Sequence, residues 1–111
     1  MNLSDFICFE KLIVSSPRIE RKKISAEYIL HLPEGRIEKN ELVYSYEFEV
    51  FEPESINDLN LASVILAQLA LNYGLFSKEI EFQGVYDNTD IRFIKDMMEN
   101  TSREIYINKL L

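Results

Sequence analysis

LNLASVILAQLALNYGLFS, residues 59–77, runs nineteen residues without a charge in a chain that is 28% charged. Such a segment is either buried at the centre of a fold or leaves water altogether. A helix that spans a membrane needs about 20 predominantly apolar residues. This run is interrupted by Asn60, Ser63, Gln68, Asn72, Tyr73 and Gly74, and its apolar core, residues 61–71, is only eleven residues long. No basic cluster or aromatic belt flanks it as an inserted helix prefers. The segment therefore reads as a buried core helix over about residues 58–73. Ser55, Asn57 or Asp58 can cap its start, and Gly74 stands where a left-handed residue would end it. Its apolar residues lie on nearly every side, so a sheet must cover one flank and something else another.

Upstream, the spacing changes to a period of two. Residues 6–14 (FICFEKLIV) are rich in aromatic and β-branched side chains and stop at Ser15-Ser16-Pro17, a strand signature. A charged turn is expected over residues 18–23. Residues 24–32 (ISAEYILHL) alternate, with Ala26, Tyr28, Leu30 and Leu32 on one face and Glu27, Ile29 and His31 on the other. Pro33-Glu34-Gly35 signals a turn. Residues 42–51 (LVYSYEFEVF) alternate most regularly, placing Val43, Ser45, Glu47, Glu49 and Phe51 together on the second row. Downstream of the helix, residues 80–85 (IEFQGV) read as a fourth strand. Asp87-Asn88-Thr89-Asp90 opens a second helix with acids at its positive end. Ile91, Ile94, Met98, Thr101 and Ile105 give that helix its stripe, joined by Met97. Residues 103–111 either continue it, the favoured reading because no glycine or proline intervenes, or leave it near Asn100-Thr101 as a fifth strand.

The expected fold is α+β: an antiparallel sheet of three to four strands with two helices, in the order β-β-β-α-β-α. The 111 residues make one domain, long enough for a core without metal or disulfides. The net charge of −7 argues against a general nucleic-acid binder, which needs a basic face. The single cysteine, Cys8, cannot form an internal bridge and fits a reducing compartment. The opening MNLSDFICFEKL lacks a basic region followed by an apolar one, so no signal peptide is expected and a cytoplasmic location is.

A sheet with two helices leaves one face open unless something covers it. Ile29, Val43 and Phe51 lie on the second row and are the candidate interface, for a neighbouring domain or a second copy of the chain. No catalytic, cofactor or metal constellation is legible. His31 is the only histidine, with no ligand spacing around it, and reads as a residue of the wetter strand face. Cys8 within FICF reads as a small buried apolar residue. Glu47 and Glu49 have the i, i+2 spacing that any solvated sheet face supplies. Arg18, Arg21, Lys22 and Lys23 form a hairpin connection with Glu20 inside it. Gly35, Gly74 and Gly84 are isolated, whereas phosphate-cradling loops need clustered glycines. Arg103-Glu104 is a candidate buried or interfacial pair.

The second half resembles a known family through LASVILAQLALNYGLF, EIEFQG, and Gly84-Val85-Tyr86-Asp87 leading to REIYINKLL. These are similar to the N-terminal domain of the epimerase acting on UDP-N-acetylmuramoyl-L-alanyl-L-glutamate. The resemblance implies an accessory domain that precedes an ATP-using part similar to a PP-loop pyrophosphatase. The glycine-rich GGKDS-type motif of that part does not occur in this chain, and no catalytic residue carries over. A second likeness rests on Gly74-Leu75-Phe76 and Arg103-Glu104 in an acidic chain with a β-meander. It resembles the export chaperone SecB family and implies a homo-oligomeric protein with a groove for extended polypeptide. The helical reading before Gly74 departs from that family's pattern.

Overall fold

The computed structural model describes residues 9–20, 22–46, 56–84 and 88–110. The chain is α+β, with two helices and five strands in one mixed sheet among the described residues. The strands are β1 (Phe9–Val14), β2 (Arg18–Glu20), β3 (Lys23–His31), β4 (Ile37–Ser45) and β5 (Ser77–Phe82). The helix α1 (Ile56–Asn72) connects β4 to β5, and α2 (Thr89–Leu110) follows β5. No helix among the described residues is long and apolar enough to cross a membrane.

The expected antiparallel sheet of three to four strands is corrected in two ways. First, β5 pairs with β1 in parallel, Leu12 opposite Ile80 and Val14 opposite Phe82. β3 runs antiparallel to both β1 and β4, so β4 and β5 point the same way. Parallel neighbours need a crossover rather than a hairpin, and α1, lying over β4 and β3, supplies one. Second, part of the expected charged turn is a strand. Arg18, Ile19 and Glu20 pair with Ser25, Ile24 and Lys23, leaving two residues for the turn, of which Lys22 has a φ of 63°.

β1 and β2 lie end to end along the same edge of β3. Val14 is opposite Tyr28 and Arg18 opposite Ser25, so Ser15, Ser16 and Pro17 face only Ala26 and Glu27. Three residues against two is a bulge, one of the few places in a sheet that tolerates a proline without a donor. Ser15 closes it from both sides. Its N–H donates to the Glu27 carbonyl (2.8 Å), and its Oγ accepts from the Glu27 N–H (3.0 Å). Across the bulge the strand's facing inverts, which brings Ile19 level with Ile24 and onto the core.

The helices cover one face of the sheet. Leu12, Val14, Ile24, Ala26, Leu30, Leu42 and Ile80 are all at most 3% exposed. Against them α1 sets Ala62, Leu66, Ala67 and Ala70, and α2 sets Ile94, Met98 and Ile105. α1 lies over β3 and β4, while α2 packs on β5 and along the flank of α1. That second helix is the extra cover the apolar sequence of α1 demands. Ser102, rather than the expected Thr101, occupies the buried stripe of α2. It can do so because its hydroxyl donates to the Met98 carbonyl (2.8 Å) one turn back.

The helix ends follow the capping residues. At Gly74 (φ 71°) the Leu75 N–H reaches the Ala70 carbonyl and the Gly74 N–H the Leu71 carbonyl, which is the Schellman arrangement. Asn88 caps α2, its Oδ1 accepting from the Asp90 N–H at 2.9 Å. The helix continues through residues 103–110, the helical one of the two sequence readings, and no strand forms there.

Candidate interaction surface

The sheet face turned away from the helices is assembled by register. Across β5, β1, β3 and β4 one row reads Glu81, Ile13, Ile29, Lys39, and the next reads Glu79, Lys11, His31, Ile37. Toward the β2–β3 turn, Glu27 lies opposite Glu41, then Arg18, Ser25 and Val43 share a row, then Glu20, Lys23 and Ser45.

Of the candidate interface residues, Ile29 and Val43 do lie on this face and Phe51 lies outside the described residues. Ile29 is half-buried beside Ile13, and Val43 is exposed. Ile29 is level with Lys39, four positions from Val43, or roughly 13 Å along the strand. The Glu27 and Glu41 row comes between them, so the two do not form one apolar patch. The structure adds Ile37, 55% exposed beside His31. The isoleucine straight after the Gly35 turn could have been found as the start of a strand, had the polar stretch after it been read as an edge. Ion pairs lace the rest of the face: Lys11–Glu79 (3.9 Å), Arg18–Glu41 (3.9 Å) and Lys23–Glu20 (3.4 Å). Exposed pairs like these contribute at most about 1 kcal/mol each, so their effect is on charge pattern more than on stability.

The border of this face at β4 has a defined hydrogen-bonding polarity. The Leu32 N–H donates to the Arg36 carbonyl and the Tyr46 N–H to the Lys22 carbonyl. Hydrogen-bonded pairs alternate along an antiparallel ladder, so the even-numbered residues of β4 bond to β3. The backbone groups of Ile37, Lys39, Glu41, Val43 and Ser45 point to the outer edge. Asn40 caps one of them, its Oδ1 accepting from the Glu41 N–H at 2.8 Å. A hollow of about 400 Å³ lies across the middle of the hairpin, lined by Glu27, Tyr28, Ile29, Lys39, Asn40 and Glu41.

The other sequence candidates are dispersed. His31 is half-buried on the wetter face, as expected. Among the described residues no group of three or more His, Cys, Asp or Glu side chains is placed to hold a metal ion. Cys8, Glu47, Glu49 and Arg21 lie outside the described residues. Arg103 and Glu104 are both exposed, so they are not a buried pair. Turns of α2 that present Ser102 and Ile105 to the core necessarily turn these two away from it. One cluster the sequence did not disclose joins β5 to α2. The Lys78 ammonium donates to both Glu10 oxygens at 3.2 Å and sits 3.8 Å above the Tyr106 ring. Desolvation pulls its pKa down, but Glu10 and Tyr106 outweigh that and hold it above the ordinary lysine value. Comparison with known protein families, curated proteins and solved structures finds nothing that matches this chain.

Proposed function

We propose that this chain is a protein-interaction domain whose sheet is completed by another protein surface. The observation that supports this reading is the one-sided cover of the sheet. Both helices lie on one face, and the other presents Ile13, Ile29, Ile37 and Val43 among charged rows. The family resemblance suggests the role of a non-catalytic accessory domain docking onto an ATP-using, PP-loop-like enzyme part. The alternative is a stand-alone homo-oligomeric binding protein, and the edge of β4, which pairs with β3 alone among the described strands, favours it because edge pairing needs only a second copy.

Light scattering coupled to size exclusion, across a hundredfold concentration range, separates the two. A dimer at every concentration supports the stand-alone protein. A monomer that self-associates only as concentration rises, and stops doing so when Ile29 is replaced by lysine, supports a face awaiting a different partner. A monomer that stays ideal throughout, with the face exchanging freely, opposes both.

A further inference from the structure

We infer that β4 pairs with β4 of a second copy, antiparallel and centred on Asn40, to form one continuous sheet across a two-fold axis. This rests on the homo-oligomeric reading and specifies its interface.

The inference comes from which registers the edge permits. Only odd-numbered residues of β4 direct backbone groups outward, so an antiparallel self-pairing must exchange bonds between odd residues and be centred on a single residue. Centring on Lys39 sets lysine against lysine, and centring on Glu41 sets glutamate against glutamate. Like charges directly opposite are destabilising. Centring on Asn40 puts Lys39 opposite the second copy's Glu41, and by symmetry Glu41 opposite the second copy's Lys39. The next pair outward is Ile37 with Val43, again twice. These are two of the large apolar side chains left exposed by the fold, at 55% and 38%. On the helix side the same register sets Arg36 beside the second copy's exposed Tyr44, a geometry that suits a cation over a ring.

A nine-residue edge strand is long to leave open, and charges on an edge ordinarily keep it single. Here the charges obstruct the neighbouring registers and complement one another in this one, so they select a pairing instead of blocking all of them. The Asn40 amide, which covers the Glu41 N–H in the single chain, stands at the axis and is displaced when that N–H finds a carbonyl across the edge. Because α1 lies over β3 and β4, both copies carry this helix on the same side of the joined sheet. A groove lined by Tyr44, Ile65, Gln68 and Leu69 borders the seam.

Charge reversal with rescue tests the register. The chain is expected to sediment as a dimer. Lys39→Glu and Glu41→Lys should each weaken it about tenfold or more, since each turns two opposite-charge pairs into like-charge ones. The double variant Lys39→Glu/Glu41→Lys should restore dimerisation, because the swap recreates both pairs. In a Cys8→Ser background, Asn40→Cys should oxidise to a covalent dimer, as non-hydrogen-bonded antiparallel partners sit about 4.5 Å apart at Cα, within disulfide range. Tyr44→Cys, far from its own copy in this register, should not cross-link. A dimer indifferent to both reversals and lacking the Asn40→Cys cross-link overturns the β4 seam and leaves the homo-oligomeric reading intact. A wild-type chain that remains monomeric overturns both.

Discussion

Gly84 joins the end of β5 to the bulge between β1 and β2, and replacing it by alanine should be among the more damaging single changes in the chain. Two costs combine there. The backbone at Gly84 has a φ of 69°, a conformation that disfavours any side chain by about 1–2 kcal/mol. An added Cβ would also meet Ser16, lying 2.8 Å from its Cβ and 3.4 Å from its Cα. The 2.8 Å contact to Cβ cannot be relieved by turning a hydroxyl, so the backbone must shift, at about 1–3 kcal/mol. Alanine also restricts the unfolded chain, which returns about 0.4–1 kcal/mol. The net cost is about 1–4.5 kcal/mol, centred at about 3. Gly74 is the internal control: its φ is 71° but its Cβ position is open. Gly74→Ala should therefore cost only about 1 kcal/mol. Urea titration gives the difference directly, and thermal melts should separate the two variants by several degrees, at about 4–8 °C per kcal/mol. Ser16→Gly removes the offending Cβ, so Gly84→Ala/Ser16→Gly should recover the steric part, a coupling of about 1 kcal/mol or more. If Gly84→Ala costs no more than Gly74→Ala, or the double variant shows no recovery, the close approach of the bulge to the β5 exit is not what makes glycine necessary.

Two further outcomes follow from contacts between α2 and β5. The Ile80 N–H on the outer edge of β5 donates to Glu99 Oε2 at 3.0 Å; Glu99→Ala should cost about 1.5–3 kcal/mol in urea titration, the range for a hydrogen bond to a charged group, with Glu99→Gln retaining part. Hydrogen exchange at the Ile80 amide should accelerate in the alanine variant. Lys78 titrates above its ordinary value of 10.5 in the folded chain, so its contribution is complete below that pH and is lost as pH rises through the folded pKa. The stability gap between wild type and Lys78→Met should be constant from neutral pH to about 10 and close above it; a gap that widens with alkalinity would reverse the sign of this coupling.

Much of the architecture can be read locally because the relevant physics is local. Gly74 and Asn88 mark helix ends through backbone conformation and capping that depend on a few neighbouring residues. The alternation in ISAEYILHL identifies a strand with one buried row, and the apolar circumference of residues 59–77 requires cover on more than one side. The errors have an equally physical origin. The first part of β4, IEKNE, shows no apolar alternation because that end of the edge strand is exposed on every residue and has little to bury. The short strand at Arg18 has no pattern of its own and exists because β3 offers it a ladder past the bulge. Ser102 replaces Thr101 on the α2 stripe because its hydroxyl satisfies itself on Met98, which apolar periodicity cannot register.

Strand alternation puts Val43 and Ile29 on the open face, where the register also has them, yet it says only that two residues share a side. It does not say that a row of glutamates lies between them, nor that Ile37 and Val43 flank Asn40 at equal distance. The sequence alone determined the two helices, at least part of β1, β3, β4 and β5, and the existence of a row left outside the core. Tertiary structure decided that β5 joins β1 in parallel, that β1 and β2 bend around Pro17, and which backbone groups of β4 face outward. Those features depend on pairings between residues distant in the chain, and a period-two pattern fixes the face of a strand but leaves its neighbour undetermined.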